Sequence, residues 1–415
     1  MSAVPGRALV RKLLDDVRAS YWAVPSGFVI ASLILAFGME WIDRNAQDLP
    51  FGLPDAWIDT QGDGARQTLA TMATAVIGVA GVMFSMTLVA VSFAADTFGP
   101  RLIGNFMRDR GTQISFGLLL GVFTYNMFIL RAMKGPIDGQ APFVAQYAMV
   151  VAMVLMVIAI FTMIYYVHHV PETINVSNIA SDLGHRFGRD IRQLIETRPT
   201  IEIEQISPRT DQITTDLHLK TAGYIQQMDV AALNEQARRH DWLIDVMHTP
   251  GSFISPHVSV ASVKSSKALT DSQIKGLRDA FATGNARTED QATPFIGDQL
   301  CEMIARALSP GFNDPFTAMN CLNWLHAGLM DGLLYKGGLH PITPQRVAIH
   351  HTDFGDLLGP FERAAPYTVT DRMARLRHRD LAQSLIQRMP SDHAQRHRLE
   401  RLVETLDQPE EDITV

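Results

Sequence analysis

The sequence predicts an α-helical membrane domain of four transmembrane helices followed by a cytoplasmic domain that is part α/β and part α-helical. Three observations predict it. The composition, 47% hydrophobic and 19% charged over 415 residues, lies between soluble and fully embedded chains. Nearly all long apolar runs fall before Val170, and the remainder alternates charged, polar and apolar residues as a globular domain does. Four uncharged stretches, Arg18 to Glu40, Arg66 to Asp96, Arg110 to Arg131 and Asp138 to His168, each hold the roughly 20 residues that cross a hydrocarbon core as a helix.

These stretches place the spans at about 22–43, 67–96, 112–132 and 142–167, within a membrane domain of residues 1–170. The first resembles a signal peptide only superficially. Glu40 and Asp43 follow it without a small-residue cleavage site, so it is read as an anchor. Arg7, Arg11, Lys12 and Arg18 precede span one, and Arg101, Arg108 and Arg110 separate spans two and three. This excess of positive charge puts both termini and the second loop in the cytoplasm. The loop after span one carries Asp43, Asp48, Asp55, Asp59 and Asp63 against Arg44. It is either a solvated loop or an acidic vestibule that concentrates cations.

Span two is strewn with small and hydroxyl residues. On a helical wheel Ala70, Thr74, Gly78, Gly81, Ser85, Leu88 and Ser92 share one face, small except at Leu88. Beside it run Ala73, Ile77, Ala80, Phe84, Thr87 and Val91, bulkier and suited to lipid or other spans. Two accounts compete for the small face. It lets another helix approach closely, or it lines a water-filled axis shared by several subunits, with Leu88 as a constriction that closes by dewetting. Pro100 and Gly104 then bend the chain into an interfacial segment in which Phe98, Leu102, Phe106 and Met107 alternate with Arg101, Arg108 and Arg110.

The run Phe84 to Leu88, Phe98 with Pro100 and Arg101, Phe106 to Arg110, "GYIQQMD" at Gly223 to Asp229, "PGSFI" at Pro250 to Ile254 and Ala307 to Ala318 together resemble the bacterial predicted membrane proteins of domain-of-unknown-function family 2254 (DUF2254). The resemblance covers most of the chain. It implies a bacterial inner-membrane protein with a multi-span N-terminal part and a soluble C-terminal part, and it implies no reaction.

After span four, His168, His169 and Pro171 are expected to break the helix at the membrane surface. Val176, Ile179, Leu183, Phe187, Ile191 and Leu194 recur at helical spacing, giving a coupling helix within 171–199. Residues 200–265 read as a small α/β unit: extended structure from Thr214 to Met228, a helix capped by Asp229 and reaching Arg239, then strands around Pro250-Gly251. Residues 266–408 read as helical. Thr270 with Gln273 forms a capping box for a helix ending before Gly284. A helix to Leu308 turns through Ser309 to Asn313 into one capped by Asp314 with Pro315 at its first position. Three more helices follow from Asp353 to Leu406, and a disordered acidic tail occupies 409–415.

Chemistry is thinly supplied. His168-His169 and His350-His351 lack further ligands at metal spacing, so no metal and no cofactor is expected. Thr288, Glu289, Asp290 and Gln291 could hold a cation or polar ligand, but a solvated loop is the better reading. Asn313 and Asp314 are ligand-binding candidates, although the turn they build is explanation enough for them. Cys301 and Cys321 are the only cysteines, which excludes a disulfide framework and fits a reducing compartment and core packing. A net charge of −7 excludes nucleic acid as a partner. No span carries a buried acid, lysine or arginine, which argues against an enzyme or an ion-coupled transporter. The readings left are a homo-oligomeric ion channel lined by span two, with the cytoplasmic domain assembling or gating it among membrane lipids, and a membrane-anchored sensor or scaffold whose cytoplasmic domain binds a ligand or protein.

Overall fold

A computed structural model describes residues 20–45, 62–99, 106, 109–133, 143–196, 213–289, 292–333, 346–349 and 352–408. The described residues divide into two compact units, one drawn from residues 20–96 and 106–175, the other from residues 176–408 with Thr97–Gly99. Among the described residues four helices are long and apolar enough to cross a membrane, all in the first unit but for the last two residues of the second helix: α1 (Ala23–Arg44), α2 (Gly62–Phe98), α3 (Arg110–Ala132) and α4 (Gln146–Thr173).

Helix α3 is central. Half of its most apolar window is buried in the unit, against 22% or less for the other three, so those present most of their apolar surface outward as lipid-facing helices do. Glycine sets its approach to α1. A Cβ at Gly117 would stand 2.8 Å from the Phe28 ring and 3.0 Å from Pro25 Cα, and one at Gly121 would stand 2.6 Å from Ser32 Oγ. Small residues one turn apart thus allow the backbones to come together, the close packing available to helices that have no hydrophobic effect to drive them. At one end of the unit the Asp43 carboxylate accepts the Tyr147 and Ala148 amides of α4, each at 2.9 Å, and the Tyr125 hydroxyl donates to the Ala148 carbonyl at 2.9 Å. Asp43 therefore caps a neighbouring helix rather than facing a vestibule. Asp63 is exposed in the first turn of α2, and Asp48, Asp55 and Asp59 lie outside the described residues.

Two apolar clusters fill the interior. One gathers Leu69, Tyr125, Ile129, Met149 and Ala152, the other Val76, Ala80, Met83, Leu119, Val122, Ala159 and Tyr166. On α3 Asn126 stands one turn from Val122 and close to one from Ile129. It is wholly buried, and neither side-chain amide atom has a partner among the described residues. Helix α4 does not break at His168, as expected, but continues through Pro171 to Thr173. The proline falls in the last turn, where the carbonyl it leaves unbonded is near the helix end.

The second unit opens with α5 (Val176–Glu196), which buries Ile179, Leu183, Phe187 and Ile191 on one face. Two sheets follow. β1 (Ile213–His218), β5 (Ser259–Ser265), β3 (Leu243–Val246) and β7 (Val347–Ile349) adjoin in that order, with β3 and β7 parallel and the rest antiparallel. β4 (Phe253–Ile254), β2 (Gly223–Met228) and β6 (Phe281–Gly284) form a second, antiparallel sheet. Helices α6 (Val230–His240), capped by Asp229 through the Ala232 amide, and α7 (Asp271–Arg278), with the Thr270–Gln273 capping box, share one core with them around Ile225, Leu233, Trp242, Val260 and Leu277. Residues 266–408 are thus not purely helical. The short strands β6 and β7 complete the α/β part by pairing with β2 and β3, and runs of four and three residues carry too little period to be told from a helix fragment.

Helices α8 (Thr293–Ala307) and α9 (Pro315–Leu333) form the expected hairpin. α9 lies against α5 with both chains running the same way. A Cβ at Gly184 would meet the Trp324 side chain, one at Gly328 the Phe187 ring, and one at Gly332 the Ile191 side chain. α10 (Phe354–Arg363), the single turn α11 (Ala365–Thr368), α12 (Arg372–Arg388) and α13 (Arg396–Asp407) close the unit, one short turn more than the three helices expected. Between them His378 is fully buried, with Nδ1 2.9 Å from Thr368 Oγ1 and its ring edge-on to Phe361 at 4.4 Å. Burial holds this imidazole down at about 3, despite the Phe361 backbone contact that raises it.

Candidate functional site

The small face of α2 lies on the surface of the membrane unit. Ala70, Thr74, Gly78, Gly81, Ser85, Leu88 and Ser92 are all exposed, and Leu88 is 54% exposed. The helix turns a different face inward: Ala65, Leu69, Ala73, Val76, Ala80, Met83, Thr87 and Ala94 are buried at steps of three, four and seven. Of the bulkier stripe beside the small face, Ala73, Ala80 and Thr87 pack inward, whereas Ile77 and Phe84 stay outside.

The packing account of the small face fails within one chain. A Cβ added at Gly78 or Gly81 would meet nothing within 4 Å among the described residues. Inside the chain it is Gly117 and Gly121, on span three, that bring that span against span one. Their four-residue spacing is legible in the sequence; what it does not reveal is the partner, since a small-xxx-small pair fits any neighbouring helix.

Four threonine hydroxyls of α2 are satisfied locally. Thr74 Oγ1 donates to the Ala70 carbonyl at 2.9 Å, so a residue on the open face has already spent its proton within the helix. On the inward face Thr87 Oγ1 and the Tyr166 hydroxyl stand 2.6 Å apart, and both lie within hydrogen-bond reach of the Met83 carbonyl. This buried trio ties α2 to α4 beside Leu88 and fixes which way the open face points.

A second polar cluster was not foreseen in the sequence. Asp109 caps α3 through the Thr112 amide at 2.8 Å and lies 2.9 Å from His169 Nε2 of α4, whose ring stacks on Tyr165 at 5.0 Å. Burial raises the Asp109 carboxyl, but the Thr112 hydrogen bonds and His169 outweigh it and hold the carboxyl below its usual range. Gly111 makes room, since a Cβ there would strike the His169 ring. His169 is thus engaged by a carboxylate, and His168 points away, exposed, 3.4 Å from Glu172. No group of three metal-ligating side chains occurs among the described residues. His350 and His351 lie outside them, as do Arg101 and Arg108, while Arg110 is exposed at the start of α3.

In the second unit the loop holding Thr288 and Glu289 is not solvated as expected. Glu289 pairs with Arg186 of α5 and accepts from Gln299 Nε2 at 3.0 Å. Next to it Arg287 reaches Asp298 at 2.7 Å, Asp298 also pairs with Arg363, and the Arg287 guanidinium covers the Phe295 ring at 4.9 Å. These charges pin the loop to α8, and a run of polar letters does not reveal that its partners come from a helix a hundred residues earlier. Asp290 and Gln291 lie outside the described residues. Asn313 adopts a left-handed conformation, φ 47°, and Asp314 caps α9 through the Thr317 amide at 3.1 Å and hydroxyl at 2.6 Å. The turn's own needs therefore occupy the Asp314 carboxylate. Cys301 and Cys321 are buried free thiols, and burial pushes the Cys321 thiol up to about 12. A cleft of about 530 Å³ opens beside α7, lined among others by Lys220, Asp271, Lys275, Arg278 and Thr283.

The chain has relatives of similar sequence. An uncharacterised protein of Mycobacterium tuberculosis (strain H37Rv) and one of Mycobacterium bovis are each 24% identical to it over 323 residues, 76% of this chain and 61% of theirs. The chain thus spans about three-fifths of the length of these curated relatives. No solved structure matches it. The model of the family described as "Predicted membrane protein (DUF2254)" matches residues 18–359, four helices fit to cross a membrane among them, and the chain belongs to that family.

Proposed function

We propose that the protein is a homo-oligomeric ion channel of the bacterial inner membrane, with both termini cytoplasmic. Copies of α2 surround the axis, and the second unit serves assembly or gating. One observation supports this above the rest. The small face of α2 is open along its length, and two of its glycines have no neighbour among the described residues of their own chain that would require them. A helix exposed only to lipid has no use for glycine, which destabilises a helix relative to alanine. Packing against a second copy does. Leu88 is the one bulky apolar side chain on that face and the proposed constriction. Ions pass through the pore, lipids surround the assembly, and the protein carries out no enzymatic reaction and binds no nucleic acid.

The test is reconstitution. The complex extracted in mild detergent has a mass of several chains, and Leu88→Ala raises single-channel open probability over wild type in planar bilayers. A single-chain mass, or conductance absent from both proteins, overturns the proposal. The sensor or scaffold reading draws on the polar cleft beside α7, which has room for a small anionic ligand among Lys220, Lys275 and Arg278.

A further inference from the structure

We propose that the tip of the α8–α9 hairpin is a membrane-contacting element, in which Phe312 and Phe316 enter the headgroup region of the bilayer that the spans cross. Among the described residues of the helical part of the second unit, Phe312 and Phe316 are the most exposed large apolar side chains. Phe312 is 51% and Phe316 68% exposed, and Pro310, Gly311 and Asn313 beside them are exposed as well. Nothing in the turn's architecture asks for aromatic residues. Its needs are met by the left-handed Asn313, the Asp314 cap and Pro315 at the first helical position.

Register and chain connectivity bound the distance of the tip from the end of the fourth span. α5 begins at Val176, with two residues between it and the end of α4 at Thr173, so Val176 stays within about 10 Å of the end of that helix. α9 runs parallel to α5, with Trp324 at Gly184, Gly328 at Phe187 and Gly332 at Ile191. Counting back eight residues from the first of these contacts, about 12 Å along both helices, brings Phe316 level with Val176, one helix-packing distance of roughly 8–10 Å to the side. Phe312 lies one turn further toward the end at which the chain leaves the membrane.

The chemistry of the tip selects the bilayer itself over an anionic headgroup. Asp314 is the ionisable group of the turn and its carboxylate is taken up by the cap, so contact rests on the two aromatic rings, which favour the interface between water and acyl chains. Binding therefore does not require acidic lipid.

Single cysteines test this in the full-length protein. Phe312→Cys and Phe316→Cys replace exposed side chains, and the native Cys301 and Cys321 are buried. Each is labelled with an NBD fluorophore and the protein placed in nanodiscs of phosphatidylcholine, with and without lipid carrying a nitroxide near the top of its acyl chain. Phe253→Cys, at the exposed Phe253 of the α/β part, is the reference. Blue-shifted emission and at least twofold stronger nitroxide quenching at 312 and 316 than at 253, persisting in high salt, are expected. Equal quenching at all three sites overturns the proposal. So does unquenched but blue-shifted emission at 312 and 316, which places the rings in a protein contact.

Discussion

Two glycine substitutions of the same chemical size should separate packing inside the chain from packing between chains. At Gly117 an added methyl stands 3.0 Å from Pro25 Cα and 2.8 Å from the Phe28 ring, and the first of these is backbone that cannot rotate away. Carbon atoms rest at about 3.5–4.0 Å, so Gly117→Ala requires α1 and α3 to separate by roughly half an ångström or more along their contact. Overpacking of this kind costs about 1–3 kcal/mol. The better helix propensity of alanine returns up to about 1 kcal/mol, leaving a net loss of about 1–2 kcal/mol. At Gly81 the methyl meets nothing among the described residues of its own chain, so Gly81→Ala is neutral or slightly stabilising for the protomer, whereas Gly81→Leu weakens the assembly. Unfolding of the protomer by steric trapping in bicelles, alongside subunit stoichiometry by native mass spectrometry, reads both quantities. A Gly117→Ala protein as stable as wild type refutes the packing argument. A destabilised Gly81→Ala protomer refutes the claim that this face is open.

Other perturbations follow from single groups. His378 is buried neutral with its pKa near 3, below the roughly 6.5 of the unfolded chain. The unfolded state therefore binds the extra proton, and stability is full above pH 6.5 and falls as pH drops below it. The loss between pH 7.5 and 5.5 is about 1.3 kcal/mol, measurable as a shift in chemical denaturation midpoint that His378→Phe abolishes. Asp43→Ala strips two amides at the start of α4 of their acceptor and should lower membrane-unit stability by about 1–2 kcal/mol in thermal unfolding in detergent, with no change if water replaces the cap. Asn126→Leu replaces two unpartnered amide atoms by methyl groups on the same branching pattern and is expected to stabilise the bundle by about 1–3 kcal/mol; a destabilised variant in the same assay means the amide is bonded to internal water or the larger methyls do not fit.

The four spans were legible because a run of uncharged residues of sufficient length has one stable form in lipid, and Thr270, Asp229 and Asp314 announced their helices because capping is local chemistry. Pro171 misled because a proline forbids a helix from continuing far past it but does not forbid a last turn. β6 and β7 were invisible because Phe281–Gly284 and Val347–Ile349 become strands only through partners more than fifty and a hundred residues earlier. The small face of α2 was readable as a face, but its outward direction was not, since that depends on Thr87, Tyr166 and Met83 meeting across two helices. Glu289 shows the same limit: the polarity of its loop was plain, and its partner on α5 could not be inferred.

The central claim is that the open face of α2 meets the same face of neighbouring copies around water. Cysteine at Ser85 tests it most directly, because the native thiols are buried. In membranes holding Ser85→Cys protein the account predicts disulfide cross-links between chains on mild oxidation. It also predicts modification by a charged, membrane-impermeant thiosulfonate, faster in the Ser85→Cys, Leu88→Ala double variant. A residue at position 85 that forms no cross-link and reacts only with lipid-soluble reagents would contradict it.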